Sequence, residues 1–440
     1  MTARPLSRAA IFAQAWPIIL GQTTVPLVGL ADTVVIGRTG DAAALAGVAL
    51  GTTVINFLFW TFGFLRMGMT GMTAQALGAD DSEEVRAMLV RGLALGLGIG
   101  AALFALQWLL IPAAFALLAG GEALDASAKG YVAARFWGAP ASLGVFAING
   151  WLLGLGRTRA ALLLQIVMNL INAALDILFV WRLGMGAGGV GLGTAIAEWA
   201  ALATGLGIAV YVLGPGAIAA IRTQRASLFT APAIRRLFAV NANIMIRTIA
   251  LLLMFAWFAN AGARLGTVPL AANQVLMQFV SISAFVLDGF AFTAESRIGG
   301  AIGRGSHSDY LRAIRLTGEF TFGAGLIFAL LIWISGVPVI AFVTDNQAVR
   351  ATAGSLLHFT ALVPLIGAPA WLLDGIFIGA TEGRALRNSA VVATAAYVLT
   401  DLALRPMAAD GVWIALLSGY AYRALALGCY MPRLTRSIAR

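Results

Sequence analysis

The sequence predicts an all-α polytopic membrane protein of about twelve transmembrane helices, arranged as two six-helix bundles related by a pseudo-two-fold axis along the membrane normal. Three observations predict it: the composition, the recurrence of apolar runs of about twenty residues, and an internal repeat. Sixty per cent of the 440 residues are apolar, 11% are charged and the mean hydropathy is +0.90. A water-soluble fold could not bury that much apolar surface. Each run is long enough to cross the ~30 Å hydrocarbon core as a helix. Lipid offers backbone N–H and C=O groups no partners, so the spans must be helices or a closed barrel, and the runs lack the period-two alternation of barrel strands.

In chain order, the spans of the first half fall near Ile11–Gly37, Leu45–Ala74, Ala87–Ala119, Tyr131–Leu153, Ala160–Trp181 and Val190–Leu213. Those of the second half fall near Leu237–Ala261, Leu270–Ile298, Ala313–Val343, Ala353–Gly379, Ala385–Leu404 and Val412–Met431. The organisation expected is an N-terminal lobe of residues 1–214, a linker of residues 215–236 with Pro215 and Pro232, and a C-terminal lobe of residues 237–440. Arg4 and Arg8 precede the first run, which is too long for a signal peptide and has no clear cleavage site, so it is expected to stay as the first helix.

The repeat has an offset of about 225 residues, aligning Leu45 with Leu270, Gly78 with Gly303, Gly150 with Gly375, Gly154 with Gly379 and Asp176 with Asp401. The order of matches is kept throughout, which points to duplication. Six helices per copy insert both copies the same way, and a cavity between the copies is the natural place for a substrate. Asp32 aligns near Trp257 and so has no acidic counterpart.

The net charge of +10 belongs to topology rather than to nucleic acid, which is not expected as a partner. Arg4, Arg8, Arg86, Arg91, Arg157, Arg159, Arg225 and Arg440 are among many arginines on the side of the N-terminus. The opposite side is poorer, with Arg38, Lys129, Arg135, Arg182, Arg264, Arg350 and Arg405. The positive-inside rule then puts both termini and the linker in the cytoplasm.

Enzyme chemistry finds little to work with. Cys429 is alone, His307 and His358 lie far apart, and no metal-ligand spacing or nucleophile with a base is present. No catalytic residue, metal or cofactor is expected.

The polar residues within spans therefore carry the chemistry. A charge at mid-bilayer costs on the order of 3 kcal/mol on insertion scales, so an acid there should face the protein interior or water. Asp32, Asp176, Glu198, Asp288, Glu295, Glu319, Asp374 and Asp401 meet that description. Asp32 suits either a carboxylate that binds and releases a proton or an interfacial partner of Arg38. Asn169, Asn172 and Asp176 follow helical spacing and share one face of the fifth span. Tyr131, Asn149, Thr194 and Glu198 could converge on that stripe; the alternative is that these groups only glue neighbouring helices. Pro17 and Pro26 each remove a backbone hydrogen bond from the first helix and invite a kink, although prolines are also commoner in membrane helices generally. Arg66, Arg247 and Arg423 are expected in structural ion pairs.

Several segments together resemble the multidrug and toxic compound extrusion (MATE) family, and within it the branch of DNA damage-inducible protein F. They are ADTVVIGR in the first span, GADDSEEVR after the second, INGWLLGLGRTR leading into the fifth, NLINAALDILFV with GVGLGTAIAEW, and DGIFIGATEGRALRNS in the second half. The resemblance implies a six-plus-six transporter of a bacterial-type inner membrane, working as a monomer in lipid. It would export small organic, often cationic amphipathic compounds in exchange for H+ or Na+. By motif, Asp32 resembles the first-helix acid of that branch and Asp176 the fifth-helix acid. Asn172 lies one turn before Asp176, and Tyr131, Asn149 and Thr194 fall where the branch places polar partners. Pro26 resembles the proline at which its first helix bends. Other branches use acids in the seventh and eighth helices, and the predicted seventh span, Leu237–Ala261, has none. The rival transporters are a lipid-linked saccharide flippase of the same superfamily and a major-facilitator-type carrier, whose loop after the second helix is unlike GADDSEEVR.

Overall fold

A computed structural model describes residues 6–117, 122–223 and 228–439, which are helical nearly throughout and contain no strand. Arg4, Arg225, Arg440 and the predicted span end at Ala119 lie outside the described residues. The first predicted span is α1 (Arg8–Gly37), and the second is α2 (Ala42–Thr61) followed by α3 (Phe64–Gly78). Then come α4 (Ser82–Leu117), α5 (Glu122–Phe136), α6 (Ala139–Gly154) and α7 (Thr158–Asp176), the last continuing as a π-helical stretch over Ile177–Arg182. Next are α8 (Gly186–Leu213) and a short α9 (Ala217–Thr223) inside the predicted linker. The second half holds α10 (Ala231–Arg264), α11 (Thr267–Gly303), α12 (His307–Val343), α13 (Gln347–Gly379), α14 (Gly383–Ala403), α15 (Ala408–Gly428) and α16 (Met431–Ile438).

Helix occupies each of the twelve predicted spans. By length and apolarity alone, ten helices among the described residues can cross a membrane, or eleven when Ala126–Phe136 and Ala139–Gly154, bent by 53°, count as one span. The predicted eleventh span, Ala385–Leu404, is the 21-residue α14, which carries Arg384, Arg387 and Asp401 and is too polar for that count. Large apolar side chains such as Trp108, Tyr211, Trp333, Ile334 and Phe342 stand exposed on these helices, as the lipid-facing surface of a membrane protein requires.

The chain forms two compact units. One, here the N-terminal unit, comprises Leu20–Thr73 and Asp81–Phe238; the other, the C-terminal unit, comprises Met1–Ile19, Ala74–Asp80 and Ala239–Arg440. In the N-terminal unit α4, α5, α6, α7 and α8 pack against one another, and Trp151 at its centre is fully buried with its indole N–H donated to the Val85 carbonyl at 2.9 Å. The C-terminal unit has an aromatic core. Phe258 meets Trp413 edge-on with centroids 5.2 Å apart, Trp371 stacks on Tyr420 at 5.1 Å, and the Trp413 indole donates to Asn273 at 2.9 Å. A buried indole N–H that finds an acceptor avoids the cost of an unmade hydrogen bond.

The sequence repeat reappears in the packing. A Cβ on Gly150 would sit 2.3 Å from the Arg66 carbonyl oxygen, and one on Gly375 would sit 2.4 Å from that of Ala291. Likewise a Cβ on Gly100 would sit 2.6 Å from the Ala139 carbonyl oxygen, and one on Gly325 would sit 2.6 Å from that of Pro364. Both partners shift by the same offset of about 225 residues, so the duplication is one of helix contacts as well as of residues. Glycine is required at these four places because backbone meets backbone there.

Candidate functional site

Four helices of the N-terminal unit bring the sequence-predicted polar residues together. Asp32 lies five residues before the end of α1 and is buried, and Asp176, the last α-helical residue of α7, is fully buried. Asp32 and Asp176 are hydrogen-bond partners through their side chains. Ionised carboxylates are acceptors only, so a hydrogen bond between two of them needs a proton on one. Each also keeps a buried oxygen, Oδ1, without a donor among the described residues.

Helical spacing sets the rest of the site. Asn172, one turn before Asp176, donates its amide to Asp176 Oδ2 at 3.0 Å and to Thr194 Oγ1 on α8 at 3.1 Å, and Thr194 donates in turn to the Val190 carbonyl at 3.0 Å. Gly193 lets Asp176 fit, because a Cβ there would stand 2.4 Å from Asp176 Oδ1. Tyr131 on α5 is buried, and its hydroxyl accepts a hydrogen bond from Thr52 on α2 at 3.2 Å. Its phenol lies in the field of Arg135, Asp32 and Glu198. Asn169 faces Gln165, whose amide it accepts at 2.9 Å, and makes no hydrogen bond to Asp176 among the described residues.

Asn149 stands apart. It is half-buried on α6, its Oδ1 has no donor, and no hydrogen bond joins it to Asp176 or Asn172 among the described residues. It is seven residues, about 10 Å of helix, beyond Ser142, the α6 residue that reaches Glu198. Pro17 and Pro26 both lie within α1, which is one unbroken helix through them. Around Pro26 the hydroxyls of Thr23, Thr24 and Thr33 bond back to the carbonyls of Leu20, Gly21 and Gly29 at 2.9, 2.7 and 2.7 Å. Arg38 stacks on Trp181, at 5.9 Å from the ring. Its guanidinium thus meets an aromatic face, and Asp32 is turned to Asp176.

Arg135 is the residue that sequence reasoning misplaced. Counted among the arginines of the sparse outer loops, it is instead 7% exposed at the end of α5, where it pairs with Glu198 on α8 at 2.9 Å and lies 5.6 Å over the Phe59 ring. Its charge reaches Asp32 and Asp176. The signal that could have found it was that the spans of this half hold three acids, Asp32, Asp176 and Glu198, each of which needs a cation or a proton when buried. Arg91, expected at a cytoplasmic margin, is also buried and bonds Glu84 at 2.8 Å and the Leu228 carbonyl.

In the C-terminal unit Asp374 and Asp401 are claimed by cations. Asp374 takes both Arg247 and Arg423, the latter at 2.6 Å. Asp401 accepts the Trp257 indole N–H and the Arg264 guanidinium, each at 2.8 Å. Arg247 and Arg423 are thus the structural partners expected of them. No group of three or more His, Cys, Asp or Glu side chains among the described residues has metal-site geometry.

The MatE family model matches residues 17–178 and 244–407, one stretch in each half. DNA damage-inducible protein F of Escherichia coli (strain K12) is 37% identical over 429 residues, covering 97% of this chain and 92% of that protein. Among solved structures, the Vibrio cholerae MATE transporter VcmN in the bent form matches with a TM-score of 0.87 at 18% identity, covering 98% of this chain and 97% of that one. A MATE in the straight conformation matches with a TM-score of 0.86 at 19% identity and the same coverage.

Proposed function

The chain belongs to the MATE family, and from that premise we propose that it is a secondary active antiporter exporting organic, often cationic amphipathic compounds in exchange for protons by alternating access. It is a multi-pass membrane protein whose relatives are transporters rather than enzymes. The observation that carries proton coupling is the Asp32–Asp176 pair: two carboxyl groups buried against each other, with acceptor oxygens to spare.

The physics of a coupled cycle follows from that pair. A proton entering from outside settles between the two carboxyls and removes their mutual repulsion. Asn172 then holds Asp176 while Thr194 holds Asn172, so a change in the charge of the pair is felt on α7 and α8 together. Asp32 transmits the same change to α1, where Pro26 has already removed one backbone hydrogen bond. Solved transporters of the same fold are described in a bent form and in a straight conformation, which supports a fold that takes more than one shape. A proton moved inward across 100 mV yields about 2.3 kcal/mol, to which the pH gradient adds.

The coupling chemistry belongs to the lobe of residues 1–214, with both termini and the linker 215–236 on the cytoplasmic side and the lobe 237–440 completing the transporter as a monomer. Tyr131 completes the polar lining, and small organic substrates displaced on protonation are the cargo. Purified protein in liposomes loaded with a fluorescent organic cation tests this. Dye should leave against its gradient when the outside is made acid, and should stay when only a sodium gradient is imposed. Efflux driven by sodium alone would overturn the proton reading.

A further inference from the structure

The proton cycle uses Asp32 and Asp176 and leaves a buried ion pair beside them without a task. Arg135 and Glu198 are 7% and 5% exposed, deep enough that their charges need a reason. A purely structural buried pair satisfies its remaining donors and acceptors. Here both partners have capacity left: Arg135 Nε has no acceptor and Glu198 Oε2 no donor among the described residues.

The position of the pair is as informative as its incompleteness. Arg135 is the penultimate residue of α5, and the chain then breaks at Trp137 and Gly138 before α6 leaves at 53°. Gly138 lies against Glu198, since a Cβ on it would stand 2.1 Å from Glu198 Oε2 and 2.9 Å from the Ala195 Cα. The guanidinium is therefore carried by the end of a half-helix, next to the break in the span, and it lies 5.6 Å over the Phe59 ring, which attracts it without a directed hydrogen bond.

The charged and titratable groups that interact with it are Asp32 on α1, Tyr131 on α5, Asp176 on α7 and Glu198 on α8. Three carboxyls thus face one guanidinium. Once the Asp32–Asp176 pair gives up its proton, two like charges are left together in a medium of low dielectric, and something must answer them. Arginine keeps its charge under all conditions, so it can answer more strongly only by moving closer.

We propose that Arg135 is a mobile internal counter-ion: it rests on Glu198 while the Asp32–Asp176 pair holds the coupling proton, and swings to that pair when the proton leaves. Glu198 is a positioning residue that sets how readily Arg135 departs. The inference rests on the proton-coupled reading of the same site. It adds a second element to the switch, because the guanidinium takes the end of α5 with it and turns loss of a proton into movement at the break in the fourth span.

The test is the pH midpoint of dye efflux from proteoliposomes, compared among wild type, Glu198→Gln and the neutral double variant Arg135→Gln/Glu198→Gln. With Glu198 neutral, Arg135 settles on the Asp32–Asp176 pair and competes with the proton, so the midpoint moves to lower pH by about one unit, a tenfold rise in the protons needed. With both neutral, the emptied pair has no cation to turn to and the midpoint moves to higher pH. Opposite shifts support the proposal. Coincident midpoints, or two shifts in the same direction, overturn it, since a pair that only holds the fold together would change yield and thermal stability and leave the midpoint in place. If Glu198→Gln alone fails to accumulate in the membrane, the double variant decides by itself, because it leaves no unpaired charge: a shift to higher pH upholds the proposal and an unchanged midpoint overturns it. Failure of the underlying reading is seen separately, in wild-type protein that ignores a pH gradient.

Discussion

Asp176 and Asp401 occupy matching places in the two halves, about 225 residues apart, and their surroundings are opposites. Asp176 leans on a second acid, Asp32, and on the neutral amide of Asn172. Asp401 is held by Arg264 and by the indole of Trp257, the residue that stands where the first half has Asp32. The same reversal recurs along the repeat: Asn149 matches Asp374, and Glu198 matches Arg423. In the C-terminal unit each of these acids has a fixed cation, so its charge is settled when the protein folds. In the N-terminal unit three acids, Asp32, Asp176 and Glu198, stand around the cation Arg135. Duplication preserved the packing, and divergence at a few polar positions left Asp176 beside an acid and Asp401 beside a cation.

The comparison can be broken most severely at its centre. Asp32→Asn should abolish gradient-driven efflux while the protein still reaches the membrane, because a single carboxyl cannot form the shared-proton pair; efflux near the wild-type rate would remove Asp32 from the cycle. Asp374→Asn should do the reverse, leaving two buried guanidinia without their carboxylate. On the scale of buried ion pairs that costs about 3–5 kcal/mol, visible as a lower thermal midpoint in detergent. Gly193→Ala sharpens the account without altering any charge. Its methyl would displace Asp176 Oδ1, now 2.4 Å from the position it would take, and several-fold slower efflux with a normal melting profile is the expected outcome. Trp257→Phe removes one donor from Asp401 and leaves Arg264 in place, so a loss of about 1 kcal/mol in stability with unchanged efflux is expected. Asn169→Ala should be the mildest, with transport close to wild type, since Asn169 bonds only Gln165 among the described residues.

Much of this was legible in the sequence because the constraints are local. Apolar length fixed the spans, and the three- and four-residue spacing of Asn169, Asn172 and Asp176 put them on one face, although only Asn172 of the two asparagines turns to the acid. The offset that paired Gly150 with Gly375 was a packing rule in disguise: both glycines accept a neighbouring carbonyl where no side chain fits. What could not be read was pairing across helices. Nothing in the spacing of Asp32 and Asp176 says that they meet, and position alone offered Arg38 as an equal partner. Arg135 escaped because an arginine near a span end normally snorkels to the interface, and the break at Trp137 and Gly138 that draws it inward is a tertiary feature. Asp374 and Asp401 looked like Asp176 for the same reason, since the arginines that neutralise them lie far away in the chain.

The central claim is that the N-terminal unit alone answers to protons, and the most direct measurement sets its acid against the matching one. Asp176→Asn and Asp401→Asn are reconstituted side by side, and dye efflux is recorded under the same imposed pH gradient. The account predicts that Asp176→Asn fails to drive dye uphill while Asp401→Asn, at matched protein density, keeps gradient-driven efflux within about twofold of wild type, a change of less than about 0.5 kcal/mol in barrier. Uphill transport by Asp176→Asn, or its loss in a folded Asp401→Asn, would contradict it.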